Sequence, residues 1–259
     1  MGHIRLGRLP ATKKWQQVVA LLSRGASLEQ IAGASAEAAE ISLEHARRDP
    51  ALLQSFWLLT QIPLAARSPD FPDSLKSLGL DVSDSPSLME IVGAFSAVID
   101  RHVERSGGRT DLGELAQNAA AESLATVVGA DLPTLFGATP EDARLAIGKL
   151  AAPDRFARLA RDFFARLTQR HLDYYLSREF SNHVGPGHKI GSADAHTTFN
   201  AALEQHCREA SRIVEAFAGG WFSKTTFEGG INPDKAGAFV FVALRKIGRE
   251  LRRRRAGHE

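Results

Sequence analysis

Cysteine is nearly absent from this chain: Cys207 stands alone among 259 residues. One thiol excludes an intramolecular disulfide framework and fits a reducing compartment, so a cytoplasmic location is expected. Long apolar runs are missing too. The longest, Ala51 to Ala66 (ALLQSFWLLTQIPLAA), is too short to cross a bilayer and holds Pro63 and two glutamines. It is expected as a buried helix, and no transmembrane segment is predicted. Met1 to Pro10 has no unbroken apolar core, so no secretory signal is expected.

Several signatures are also absent. There is no G-x-x-x-x-G-K-[ST], G-x-G-x-x-G or G-x-S-x-G, so phosphate-loop, dinucleotide and serine-hydrolase chemistry has no motif here. H-E-x-x-H and C-x-x-C are missing as well. Runs of alternating apolar and polar residues, the mark of half-buried strands, are almost wanting.

What is present is helical pattern. Thr12 caps a first helix in which Trp15, Val18, Val19 and Leu22 share a face, and Ser27-Leu28-Glu29-Gln30 has the form of a capping box. Asp49-Pro50, Ser85-Pro86, Thr139-Pro140, Pro153 and Asn232-Pro233 read as further helix starts. Pro63 is expected to kink or end its helix. From Pro153, Phe156, Leu159, Ala160, Phe163, Leu167, His171 and Tyr174 step by three and four, predicting a long helix to about Ser181. Ser192 is expected to open a second long helix carrying His196, Phe199, Leu203, His206, Ala210, Ile213 and Phe217 on one stripe, ended by Gly219-Gly220. The expectation is an all-α fold: a single compact multi-helix domain over residues 1–259, with nine or ten helices and no significant β-sheet.

Charge is nearly balanced overall, at +2, and divided unevenly. Residues 1–150 are slightly acidic and 151–259 are basic and histidine-rich, with a dense basic end at Arg245, Lys246, Arg249, Arg252, Arg253, Arg254 and Arg255. Such an end suits an acidic partner or nucleic acid, and equally a solvated helix terminus.

Five of the nine histidines (His171, His183, His188, His196, His206) fall between Leu167 and Ile231 with Cys207. Intervals of five, eight and ten residues from His183 onward match no ligand set on one helix face. No metal site and no cofactor are expected, although a metal- or small-ligand-binding helical protein stays among the readings. The stretch Gly219 to Ile231 (GGWFSKTTFEGGI) brackets Trp221, Phe222, Lys224 and Phe227 with glycine pairs. It is expected as a loop that folds onto the core or anchors a partner.

Arg178-Glu179-Phe180-Ser181-Asn182-His183 places arginine and histidine with four residues between them. The spacing resembles the R-x4–6-H motif of the HEPN family of all-helical ribonucleases. The resemblance covers these six residues and the helical context, and Glu179 stands where the family generally has Asn, Asp or His. It implies a metal-independent cut of RNA in which the 2′-hydroxyl attacks the adjacent phosphate, in a site commonly formed across a dimer. His183 would act as acid and base and Arg178 would steady the phosphorane. The structural alternative pairs Arg178 with an acidic neighbour and uses His183 to help end its helix.

The reading that follows is a non-enzymatic helical component of a multi-protein assembly. Its Ala/Arg/Gly-rich composition suits a bacterial source, and a defence-type system is one setting for it. It would contact a protein partner through the aromatic stretch and nucleic acid through the basic C-terminal helix. The HEPN-like ribonuclease is the alternative.

Overall fold

The computed structural model describes residues 12–38, 48–133, 137–183 and 193–256, except the side chains of 28, 29, 36, 177–183, 193–196, 255 and 256. Among these residues it contains eleven helices and no strand. In chain order they are α1 (Lys13–Arg24), α2 (Leu28–Ala38), α3 (Pro50–Ala65), α4 (Phe71–Ser77), α5 (Leu88–Arg105), α6 (Asp111–Gly129), α7 (Pro140–Lys149), α8 (Pro153–His183), α9 (Ala193–Ala210), α10 (Arg212–Phe227) and α11 (Pro233–Ala256). The all-α expectation holds, with one or two more helices than expected.

Local chemistry accounts for most helix starts. The Thr12 hydroxyl accepts from the Trp15 amide, Asp49 from Leu52 at 2.9 Å, and Asn232 from Lys235 at 2.9 Å. Ser27 and Gln30 exchange the two bonds of a capping box, as do Thr139 and Asp142. Ser87, two residues beyond the expected start at Ser85, caps α5 by accepting from Glu90. Pro63 does not stop α3, which continues to Ala65. Pro63 has no N–H to give the Leu59 carbonyl, so the helix forgoes that bond and ends two residues later.

One continuous apolar core draws on all eleven helices. α8 is the long spine, packed on α10, α6 and α9, while α3 packs on α6, α11 and α5. Phe56 of α3 sits in the middle of an aromatic group. Its ring stacks on Phe239 at 5.1 Å and lies 5.4 to 6.3 Å from Phe156, Phe163, Phe164 and Trp221.

Two expectations about the last third of the chain are corrected. The long helix beginning near Ser192 breaks at Ser211, separating α9 from α10. At this break Nε and Nη2 of Arg161 on α8 reach the Arg208 carbonyl at 3.4 Å, giving the last turn of α9 a partner from another helix. Gly219-Gly220 does not end a helix: α10 runs through both glycines to Phe227. Gly219 is where α10 crosses the start of α8, and a Cβ there would stand 2.5 Å from the Pro153 carbonyl oxygen. Glycine at this position permits close approach of two backbones, and the helix tolerates its conformational cost because packing decides.

Candidate contact surface on the last two helices

The residues singled out between Gly219 and Ile231 divide sharply. Trp221 and Phe222 belong to the core: Trp221 lies 4.3 Å from Phe239 between ring centroids, and Phe222 stacks on Phe156 at 4.1 Å. They lie on α10, so the expected aromatic loop is a helix; Phe222 is buried, and Trp221 is half-buried with its ring packed against the core. Lys224 and Phe227 face outward at its end. Phe227 is 92 % exposed, against 71 % for Met89 and 51 % for Leu145, the other exposed large apolar residues described. Lys224 approaches Glu228 at 3.8 Å, one turn on.

The turn after Phe227 is held in place. Gly229 and Gly230 take φ of 97° and 91°, which L side chains rarely adopt. The Gly230 amide donates to the Thr225 carbonyl at 3.1 Å, and Lys235 Nζ donates to the Gly230 carbonyl at 2.9 Å. From α3, Trp57 Nε1 and Gln61 Nε2 both donate to the Ile231 carbonyl, at 3.0 and 3.1 Å. Phe227 is therefore presented from a bonded turn, on the water side of a helix end.

α11 buries Ala236, Phe239, Val240, Ala243, Leu244, Ile247 and Leu251. The expected cluster of four C-terminal arginines is not a uniform outward face. Arg252 and Arg254 are half-buried, and Arg254 pairs with Glu209 of α9 at 3.7 Å. Arg253 is exposed, and the side chain of Arg255 lies outside the described residues. Arg245 and Arg249 are exposed as well, so the outward arginines are Arg245, Arg249 and Arg253.

Many of the other cations around α8 to α11 are occupied. Glu122 of α6 holds both Arg166 and Arg170 of α8. Arg166 also donates to Asp162 at 2.6 Å, and Asp162 meets Arg208 of α9 at 3.7 Å. Arg208 pairs with Glu204 at 3.0 Å, Arg161 with Glu215 at 2.7 Å, and Arg212 with Glu209 at 3.1 Å. Burial opposes the charge on Arg166, but the Asp162 and Glu122 carboxylates outweigh it and raise its pKa. These pairs join four helices and leave those guanidinium groups committed.

The two buried carboxylates among the described residues, Asp49 and Asp111, stand at the starts of α3 and α6. Thr110, the cap of α6, donates to Asp49, the cap of α3. The Tyr174 phenol of α8 donates to Asp111 at 2.6 Å. Carboxylates suit helix N-termini, where amides and the helix dipole favour negative charge. These bonds assign both acids to joining helices. Sequence reading missed the bond between Thr110 and Asp49 because the two lie 61 residues apart.

The histidines and the cysteine are placed as follows. His171 is buried edge-on to Tyr175 at 5.4 Å, and burial pushes its pKa down to about 4, keeping the ring neutral. His206 is buried as well. Burial, and secondarily the Glu204 charge, raises the Cys207 pKa, so the thiol stays protonated and is a poor nucleophile. Among the described residues no group of three His, Cys, Asp or Glu side chains could hold a metal. The side chains of His183 and His196, and His188 entirely, lie outside the described residues.

Arg178 and His183 are on the last turns of α8, and their side chains also lie outside the described residues. Five helical residues correspond to about 140° of rotation and about 7.5 Å of rise. The two positions do not share one face of α8. Among the described residues no helix is long and apolar enough to cross a membrane. Comparisons with protein-family models, curated proteins and solved structures gave no match.

Proposed function

We propose that this chain is a non-enzymatic α-helical contact module of a bacterial multi-protein assembly, with a defence-type system as one setting. It binds a protein partner at the end of α10, with Phe227 as the apolar anchor and Lys224 beside it. The observation that carries this reading is the near-complete exposure of Phe227 on a turn whose backbone is bonded from α3 and α11. The backbone next to the ring is already ordered, so binding has only the side chain's own rotamer to fix, and an aromatic side chain has few rotamers to lose. The buried carboxylates described, Asp49 and Asp111, support the same reading, because caps and inter-helix bonds account for both.

Affinity capture from the source organism tests it, using tagged wild type beside Phe227→Ser and Lys224→Glu. The expected result is a defined partner in fixed stoichiometry with the wild type and its loss with Phe227→Ser, all three proteins being equally folded. The same partner retained by both variants would remove the α10 surface from consideration. RNA cleavage in EDTA by the wild type and not by His183→Ala would replace this reading with the HEPN-like ribonuclease.

A further inference from the structure

The outer face of α11 carries a second, chemically different surface. Arg245, Arg249 and Arg253 follow one another at intervals of four residues and all three are exposed. On an α-helix this spacing makes a single ridge with about 6 Å between successive positions. None of the three forms an ion pair among the described residues, whereas Arg161, Arg166, Arg170, Arg208, Arg212 and Arg254 nearby all do. Arg245 also lies over the Phe241 ring at 5.5 Å, which orients its guanidinium without neutralising it.

We propose that this ridge binds the phosphate backbone of single-stranded nucleic acid, without sequence preference. Guanidinium groups are weakly hydrated forks that match phosphate oxygens, and three in line at this interval can follow consecutive phosphates of one strand. The ridge is one residue wide, so it follows one strand, where a duplex would call for contacts spread across a groove. An anionic membrane is the poorer fit. α11 turns most of its apolar side chains into the core, and beside the arginines it leaves only half-buried Phe241 and Val242 and the small Ala238, too little apolar surface to insert. The proposal extends the contact-module reading to a second ligand and uses none of the residues at the end of α10.

Fluorescence anisotropy of the full chain with labelled single-stranded RNA and DNA oligonucleotides tests it. Three phosphate contacts imply a slope of about −2 in log affinity against log salt, or about 20-fold weaker binding between roughly 50 and 200 mM salt. The triple variant Arg245→Gln/Arg249→Gln/Arg253→Gln should lose this binding, while Arg158→Gln, an exposed arginine on α8, should bind as the wild type does. Circular dichroism establishes that each variant is folded. A folded triple variant with unchanged affinity and slope overturns the proposal. So does equal or tighter ridge-dependent binding of duplex, of polyglutamate, or of phosphatidylserine vesicles, each of which names a different occupant. Because Phe227 is untouched in the triple variant, loss of partner capture and loss of nucleic-acid binding are read separately.

Discussion

Gly219 lies against Pro153: a Cβ on the glycine would stand 2.5 Å from the proline's carbonyl oxygen and 3.0 Å from its carbonyl carbon. The obstacle is backbone at the opening of α8, which cannot rotate aside as a side chain can. Gly219→Ala should therefore destabilise the protein by about 1–3 kcal/mol, through a forced shift of α10 from α8. Gly220, one residue on, meets nothing within 4 Å, and Gly220→Ala should be neutral or stabilising by about 0.5–1 kcal/mol. Urea denaturation of the two variants checks the contrast, and equal effects would contradict this account of the helix crossing.

Asp49 and Thr110 cap two helices and bond to each other, so each supports both ends. Asp49→Ala and Thr110→Ala should each cost about 1–2 kcal/mol. The double variant should cost less than the sum, with a coupling of about 1 kcal/mol. Additive losses in a double-mutant cycle would mean that the two caps act independently.

His171 introduces a pH dependence of known sign. Its folded-state pKa is lowered to about 4 from 6.5, so the folded state takes up its proton less readily than the unfolded chain. The neutral ring's full contribution is present above pH 6.5 and is lost as pH falls from 6.5 towards 4, by about 3 kcal/mol in all. His171→Gln should flatten the stability profile in that window and leave its shape above pH 7 unchanged. Parallel profiles for the two proteins from pH 7 to 4 would rule the histidine out as the source.

The aromatic residues of α10 should separate stability from contact. Trp221→Ala removes a half-buried ring packed on Phe239 and Phe56 and should cost about 2–3 kcal/mol, less than a fully buried ring would. Phe227→Ser should change stability by no more than about 0.5 kcal/mol, because its ring is already in water. Thermal unfolding of both decides this. A strongly destabilised Phe227→Ser would show that its ring packs on the protein in solution.

Much of the helical inventory was readable in advance because its signals are short-range. Thr12, Asp49, Thr139 and Asn232 each bond an amide three residues ahead, and proline follows three of these caps directly. The site was read less well, and for a physical reason. Gly219-Gly220 resembles a helix stop in any local window, and only the carbonyl of Pro153, 66 residues earlier in the chain, makes the first glycine a helix-crossing residue. The four-residue interval of Arg245, Arg249 and Arg253 was visible in the sequence. Their lack of carboxylate partners depends on where α9 and α10 place Glu204, Glu209 and Glu215.

The chain's own order of residues was enough to specify helices, because caps, prolines and apolar periodicity act within one or two turns. It also concentrated positive charge in the last helix, since that is composition alone. Which side of α10 faces inward, which arginines are neutralised and which ring is left in water were decided by packing between helices distant in sequence. Those outcomes turn on a few ångströms of separation between backbones and side chains that no local pattern encodes. The contrast between the core-packed, half-buried Trp221 and the exposed Phe227, six residues apart on one helix, arises in that way.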